Sequence, residues 1–152
     1  MTLTVSLDRY MTTKRNEALI RNLDTFGQLI YGDKTYSEWE YVRRTVNEYS
    51  KGPTDGVANN QIRCYEKTPG DTSTKTLAVT AGSQIGFKAD TVVGHPGPAA
   101  FYMAKVPSGQ TAATWSGEGA VWFKIWDEQT EFTASGPVWP VSKGMPNTFG
   151  CC

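Results

Sequence analysis

From about Thr25 onward the chain is written in short runs of β-forming residues, each closed by glycine or proline before a helix of any length could form. Phe26–Tyr31 ends at a Gly32-Asp33 turn signal. Trp39–Val46 ends ahead of Lys51-Gly52-Pro53, and Gln61–Glu66 places Ile62, Cys64 and Glu66 on one face. Thr76–Thr80 and Gln84–Phe87 alternate apolar and polar residues around Ala81-Gly82-Ser83, which predicts adjacent strands. Phe101–Lys105 follows Pro96 and Pro98. Ala120–Trp126 then alternates Val121, Phe123 and Ile125 against Trp122, Lys124 and Trp126. After Asp127 the pattern fades into a proline-rich stretch. Short strands at this spacing predict an all-β chain folded as an antiparallel β-sandwich. At 152 residues and 16.7 kDa there is room for one such domain.

Charge excludes several partners. Fifteen basic and fifteen acidic side chains cancel, so bulk charge attracts neither nucleic acid nor an anionic membrane surface. No uncharged apolar run approaches the ~18 residues of a membrane-crossing helix. Residues 1–22 stand apart: they contain no Gly or Pro and carry Arg9, Lys14, Arg15 and Arg21. Thr12–Asn22 reads either as a short helix, with Leu19 and Leu23 at i,i+4, or as a disordered leader. The apolar run at 1–7 is cut off by Asp8 and Arg9 and is too short for a secretion signal.

Three cysteines, Cys64, Cys151 and Cys152, make neither a disulfide framework nor a zinc spacing. One histidine, His95, sits in Val93-Gly94-His95-Pro96-Gly97-Pro98, where glycine and proline stiffen the chain around it. Such a segment can aim a ligand or base, or it can be a plain surface turn. Asp127, Glu128 and Glu131 offer carboxylates for glycoside hydrolysis, or simply a solvated turn. Tyr49, Tyr65, Trp115, Trp122, Trp126 and Trp139 are candidates to stack on sugar rings; in a sandwich most such rings fill the core or its rim.

Two longer stretches carry more. One runs from Trp39-Glu40-Tyr41-Val42-Arg43 through Asn47-Glu48-Tyr49-Ser50-Lys51-Gly52-Pro53 to Ile62-Arg63-Cys64-Tyr65. The other joins Thr80-Ala81-Gly82, His95-Pro96-Gly97-Pro98, Tyr102-Met103-Ala104-Lys105 and Trp122-Phe123-Lys124-Ile125. In order and spacing, from about Thr25 to Gly144, they resemble the fungal lytic polysaccharide monooxygenases of auxiliary-activity family nine, once filed among the glycoside hydrolases.

The resemblance implies an immunoglobulin-like sandwich with a flat face bearing one copper ion. Two histidines would hold it, one of them the first residue with its own amine, and a tyrosine would lie on the axis. It implies oxidative cleavage of cellulose or a related β-1,4-glucan at C1 or C4, using an external electron donor with dioxygen or hydrogen peroxide. It also implies an extracellular monomer. Carried over by position, His95 matches the second metal-binding histidine, Tyr49 a substrate-facing tyrosine, and Cys64 a cysteine whose disulfide partner is missing here. Val106 stands where many members have cysteine.

The same comparison predicts three segments. Residues 1–22 are a leader foreign to the family, 23–144 a partial monooxygenase sandwich incomplete at its C-terminus, and 145–152 an aberrant tail. Leu23 or Asp24 stands where the family begins with histidine, and Met145–Cys152 stands where it continues into the axial tyrosine. The expectation is a family member inactive in this form. The alternatives are a non-catalytic carbohydrate-binding sandwich and a non-functional truncated product.

Overall fold

The computed structural model describes residues 3–8, 25–45, 72–91, 99–139 and 148–151. They form nine strands in antiparallel pairings: β1 Leu3–Asp8, β2 Gln28–Tyr31, β3 Lys34–Thr35, β4 Ile85–Lys88, β5 Ala99–Lys105, β6 Trp122–Glu128, β7 Glu131–Thr133, β8 Gly136–Val138 and β9 Thr148–Cys151. One sheet has the order β1-β5-β6, the other β3-β2-β4-β9, and β7 and β8 form a separate hairpin. The chain is thus an all-β antiparallel sandwich, as the alternation predicts.

Packing explains the arrangement. Leu29 on β2 and Phe87 on β4 face Ala99 and Phe101 on β5, with Phe26 and Ala89 completing the buried cluster. Phe101 is fully buried, and its ring stacks on Phe87 at 5.8 Å between centroids and meets Trp126 in a tilted contact at 5.3 Å. Because Phe87 and Phe101 belong to different sheets, their contact joins the two layers. An aromatic pair of this kind adds about 0.5–1.5 kcal/mol beyond the area it buries.

The opposite face of β5 is covered as well. Ala104, Val106 and Trp115 form a second buried cluster, with Ala112 and Trp122 packed against it. Trp115 and Trp122 lie nearly parallel, 5.7 Å apart, and the Trp122 indole N–H donates to the Gly117 carbonyl at 2.9 Å. The Arg43 guanidinium donates to the carbonyls of Ala112 and Trp115, the latter at 2.9 Å, and so ties the 39–45 segment to this cluster.

Several sequence expectations need correction. Trp39–Val46 does not form a strand in its described part: 38–40 is a turn, 41–42 a bend, and only Thr45 makes a bridge. Trp39 adopts φ 61°, a left-handed conformation rare for a bulky residue, while its ring is buried. Its N–H donates to the Gly27 carbonyl at 2.8 Å, and the turn presses so close that a Cβ at Gly27 would fall 2.7 Å from Glu38 Cγ. Tertiary packing of the indole overrides the β-propensity of this stretch.

Thr76–Thr80 is extended but not in a ladder, although the turn after it forms, with Gly82 at φ 80°. On β6 the predicted split of faces fails at a bulge. Phe101 opposes Trp126 but Tyr102 opposes Lys124, which leaves Ile125 as the extra residue. Trp126 thereby joins the Phe101 face while Trp122 serves the other. Val121 and Phe123 are 42% and 50% exposed.

The fading pattern after Asp127 conceals the β7–β8 hairpin, which pairs Glu131 with Val138 and Thr133 with Gly136. Within the stretch 145–152, set apart above as an aberrant tail, Thr148–Cys151 forms β9, where Phe149 pairs with Phe87 and Thr148 with Lys88. The expected strand at Gln61–Glu66 and the helix-or-leader reading of Thr12–Asn22 lie outside the described residues.

Truncating the ring that joins the sheets should be costly. Phe101→Ala is expected to lower unfolding free energy by about 3–5 kcal/mol. Phe132→Ala, at a side chain 85% exposed, should change it by less than about 0.5 kcal/mol. Urea unfolding followed by tryptophan fluorescence checks both.

Candidate functional site

The site is approached through the residues that flank it. β4 ends at Lys88 and is followed by buried Ala89 and exposed Asp90; segment 92–98, which contains His95, then leads into β5 at Ala99. Ala89 and Ala99 are 1% and 2% exposed, so both flanks of the segment are anchored in the core.

A second anchor comes from far away in sequence. The Asp90 N–H donates to the Thr25 carbonyl at 2.9 Å, and the Thr25 N–H donates to Asp90 Oδ1 at 3.3 Å. Thr25 is itself buried. The start of the sandwich and the approach to His95 are therefore held side by side, although 65 residues separate them.

His95, Tyr49, Cys64 and Tyr65 lie outside the described residues. Among the described residues no group of three or more His, Cys, Asp or Glu side chains converges as a metal site would require. Val106, at the position that carries cysteine in many relatives by resemblance, is buried in the second apolar cluster. Trp115, Trp122 and Trp126 are core aromatics, as a sandwich demands of most of its rings.

One of the candidate carboxylates is engaged locally. Asp127 accepts a hydrogen bond from Lys124 at 2.7 Å and another from the Gln129 amide. The hydrogen bond with Lys124, then that from Gln129, holds the Asp127 carboxyl below its ordinary range. The same hydrogen bond to Asp127 raises Lys124. A carboxylate held in this state is an ion-pair partner and not a proton donor near neutral pH.

One titratable group that the sequence reading did not single out is Tyr31, at the end of β2. Its hydroxyl donates to Thr80 Oγ1 at 3.5 Å and accepts the Thr80 N–H at 3.2 Å, while Ser83 Oγ donates to the Thr80 carbonyl at 2.5 Å. Hydrogen bonding with the Thr80 side chain, then with the Thr80 N–H and the Ser83 side chain, lowers the Tyr31 pKa from 10.0 to about 8. No local sequence signal links Tyr31 to Thr80, 49 residues away.

The described residues define the class of antiparallel β-sandwich proteins, here with Thr25 and Asp90 pinned together. Comparison with known proteins makes the class specific. Residues 23–149 match the model of Auxiliary Activity family 9, formerly glycoside hydrolase family 61. The chain is 50% identical over 116 residues to AA9 family lytic polysaccharide monooxygenase H of Malbranchea cinnamomea, covering 76% of this chain and 50% of that protein. It is 45% identical over 119 residues to monooxygenase A of Thermothielavioides terrestris, covering 78% and 51%. It is 45% identical over 108 residues to monooxygenase F of Neurospora crassa, covering 71% and 46%. The chain belongs to Auxiliary Activity family 9, and it spans about half the length of these curated relatives.

The lowered pKa of Tyr31 has a measurable consequence. Between about pH 8 and 10 the folded chain binds fewer protons at Tyr31 than the unfolded chain, so its contribution to stability grows with pH in that window and is lost as pH falls through about 8. Tyrosinate absorbance should show one group titrating near pH 8. Tyr31→Phe should abolish that phase and flatten the rise in stability, and Thr80→Val should move the midpoint up.

Proposed function

We propose that this chain derives from a secreted, copper-dependent oxidase that cleaves cellulose or a related β-1,4-glucan at C1 or C4, and that it does not carry out this reaction by itself. Family membership and the names of the relatives support the first half. The residue inventory supports the second: the full sequence holds one histidine.

When bound, copper supplies one-electron chemistry with dioxygen or hydrogen peroxide, electrons coming from an external donor. A site for it needs several neutral nitrogen donors that serve both oxidation states and leave a position open. In this reading His95 is one imidazole ligand, Tyr49 faces the glucan, and Cys64 is left without its disulfide partner. The residues present do not fit the whole group, since one imidazole cannot supply a two-histidine donor set. No reaction step is assigned to this chain. Residues 23–144 act as a partial catalytic sandwich, between a foreign leader over 1–22 and an aberrant tail over 145–152.

What the chain keeps is the support of that site. Asp90 and Thr25 hold the start of the sandwich against the approach to His95, and the Phe87–Phe101 contact fixes the sheets beneath.

Incubating the purified chain with copper, ascorbate, hydrogen peroxide and amorphous cellulose should yield no oxidised cello-oligosaccharides by mass spectrometry. Aldonic acids or 4-keto products above the protein-free control would overturn the reading of an inactive form.

A further inference from the structure

We propose that Leu3–Asp8, which lie ahead of the family match, are a permanent strand of the sandwich and not a removable leader. The argument begins with β5. Ala99 and Phe101 are buried on one of its faces and Ala104 on the other, all three at most 2% exposed. A strand covered on both faces has little water for its backbone, so its N–H and C=O groups need partners along both edges. β6 takes one edge. β1 takes the other, pairing Leu3 through Asp8 with Lys105 through Ala100.

The register agrees with the sequence of β1. Leu3, Val5 and Leu7 oppose Lys105, Met103 and Phe101, the positions of the Phe101 face. Thr4, Ser6 and Asp8 oppose Ala104, Tyr102 and Ala100. A slip by one residue would exchange the two sets. No part of the strand belongs to residues 23–149, the segment matched by the family model. The family's own sequence therefore does not supply this neighbour of β5; the foreign N-terminal segment does.

The placement also bears on the site. Asp8 pairs with Ala100, just after segment 92–98, and Thr25 is bonded to Asp90, just before it. The N-terminal segment thus meets the sandwich on both sides of the stretch that contains His95. A free amine at the residue ahead of Thr25, which the proposed metal site of the family requires, would need a break in the chain between β1 and Thr25. This last consequence rests on the proposed role of His95; the strand itself does not, and it is tested without metal or substrate.

Backbone hydrogen exchange of the full, metal-free chain is the test. Amides of Leu3–Asp8 should exchange at least about 100-fold more slowly than in a free peptide, together with those of Ala99–Lys105, as one cooperative unit. Val5→Pro/Ser6→Pro removes adjacent donors, one from each edge of β1. It should return Leu3–Asp8 to free-peptide rates and speed exchange in β5 at least about tenfold relative to β2 and β4. Free-peptide exchange of Leu3–Asp8 in the intact chain would overturn the proposal, as would full retention of β5 protection in the double variant. Either result would leave the family reading and the absence of activity where they stand.

Discussion

The contact of Phe101 with Phe87 is the interaction on which the rest of the molecule depends. It is the place where two narrow sheets become one sandwich, and the fully buried ring of Phe101 has Trp126 on its other flank. Both partners sit beside segments that matter. Phe87 precedes the Ala89–Asp90 corner that receives Thr25, and Phe101 follows Ala99, where the stretch with His95 rejoins the core. Small residues at Ala89 and Ala99 let the sheets close around the aromatic pair, and beside Ala89 the Asp90 backbone meets Thr25.

Much of this architecture was legible in the residues, for a definable reason. Where a strand has one covered face and a nearby glycine turn, as in Phe26–Tyr31 with Gly32, alternation and turn chemistry report the same element. Where packing sets the backbone, they part company. Trp39–Val46 is rich in β-formers, yet burying the Trp39 indole bends the chain through a left-handed residue. The single extra residue at Ile125 reverses which face Trp126 serves, and nothing in the strand's own sequence marks the bulge. Leu3–Asp8 has the alternation of a strand, but its only visible context was a charged, glycine-free leader, because its partner lies about a hundred residues away in sequence.

The site was legible only in part. His95 stands out because it is the sole histidine and lies between prolines and glycines, but its role comes from the order of motifs around it. The pairing of Thr25 with Asp90 is a tertiary fact with no local signature, as is the Thr80 environment that lowers Tyr31. The acidic residues near the end of β6 looked like catalytic candidates by type alone. In the fold Asp127 is spent on Lys124 and Gln129. Residue type proposes chemistry, and only the partners in space decide whether a group is available for it.

The chain is a member of Auxiliary Activity family 9, and His95 is proposed as one imidazole of its metal site. The most direct measurement is copper(II) titration of the purified chain, followed by electron paramagnetic resonance, beside His95→Ala. The account predicts weak binding, a spectrum with no more than one imidazole nitrogen, and loss of that nitrogen in His95→Ala. A tight stoichiometric site with three nitrogen donors would contradict it.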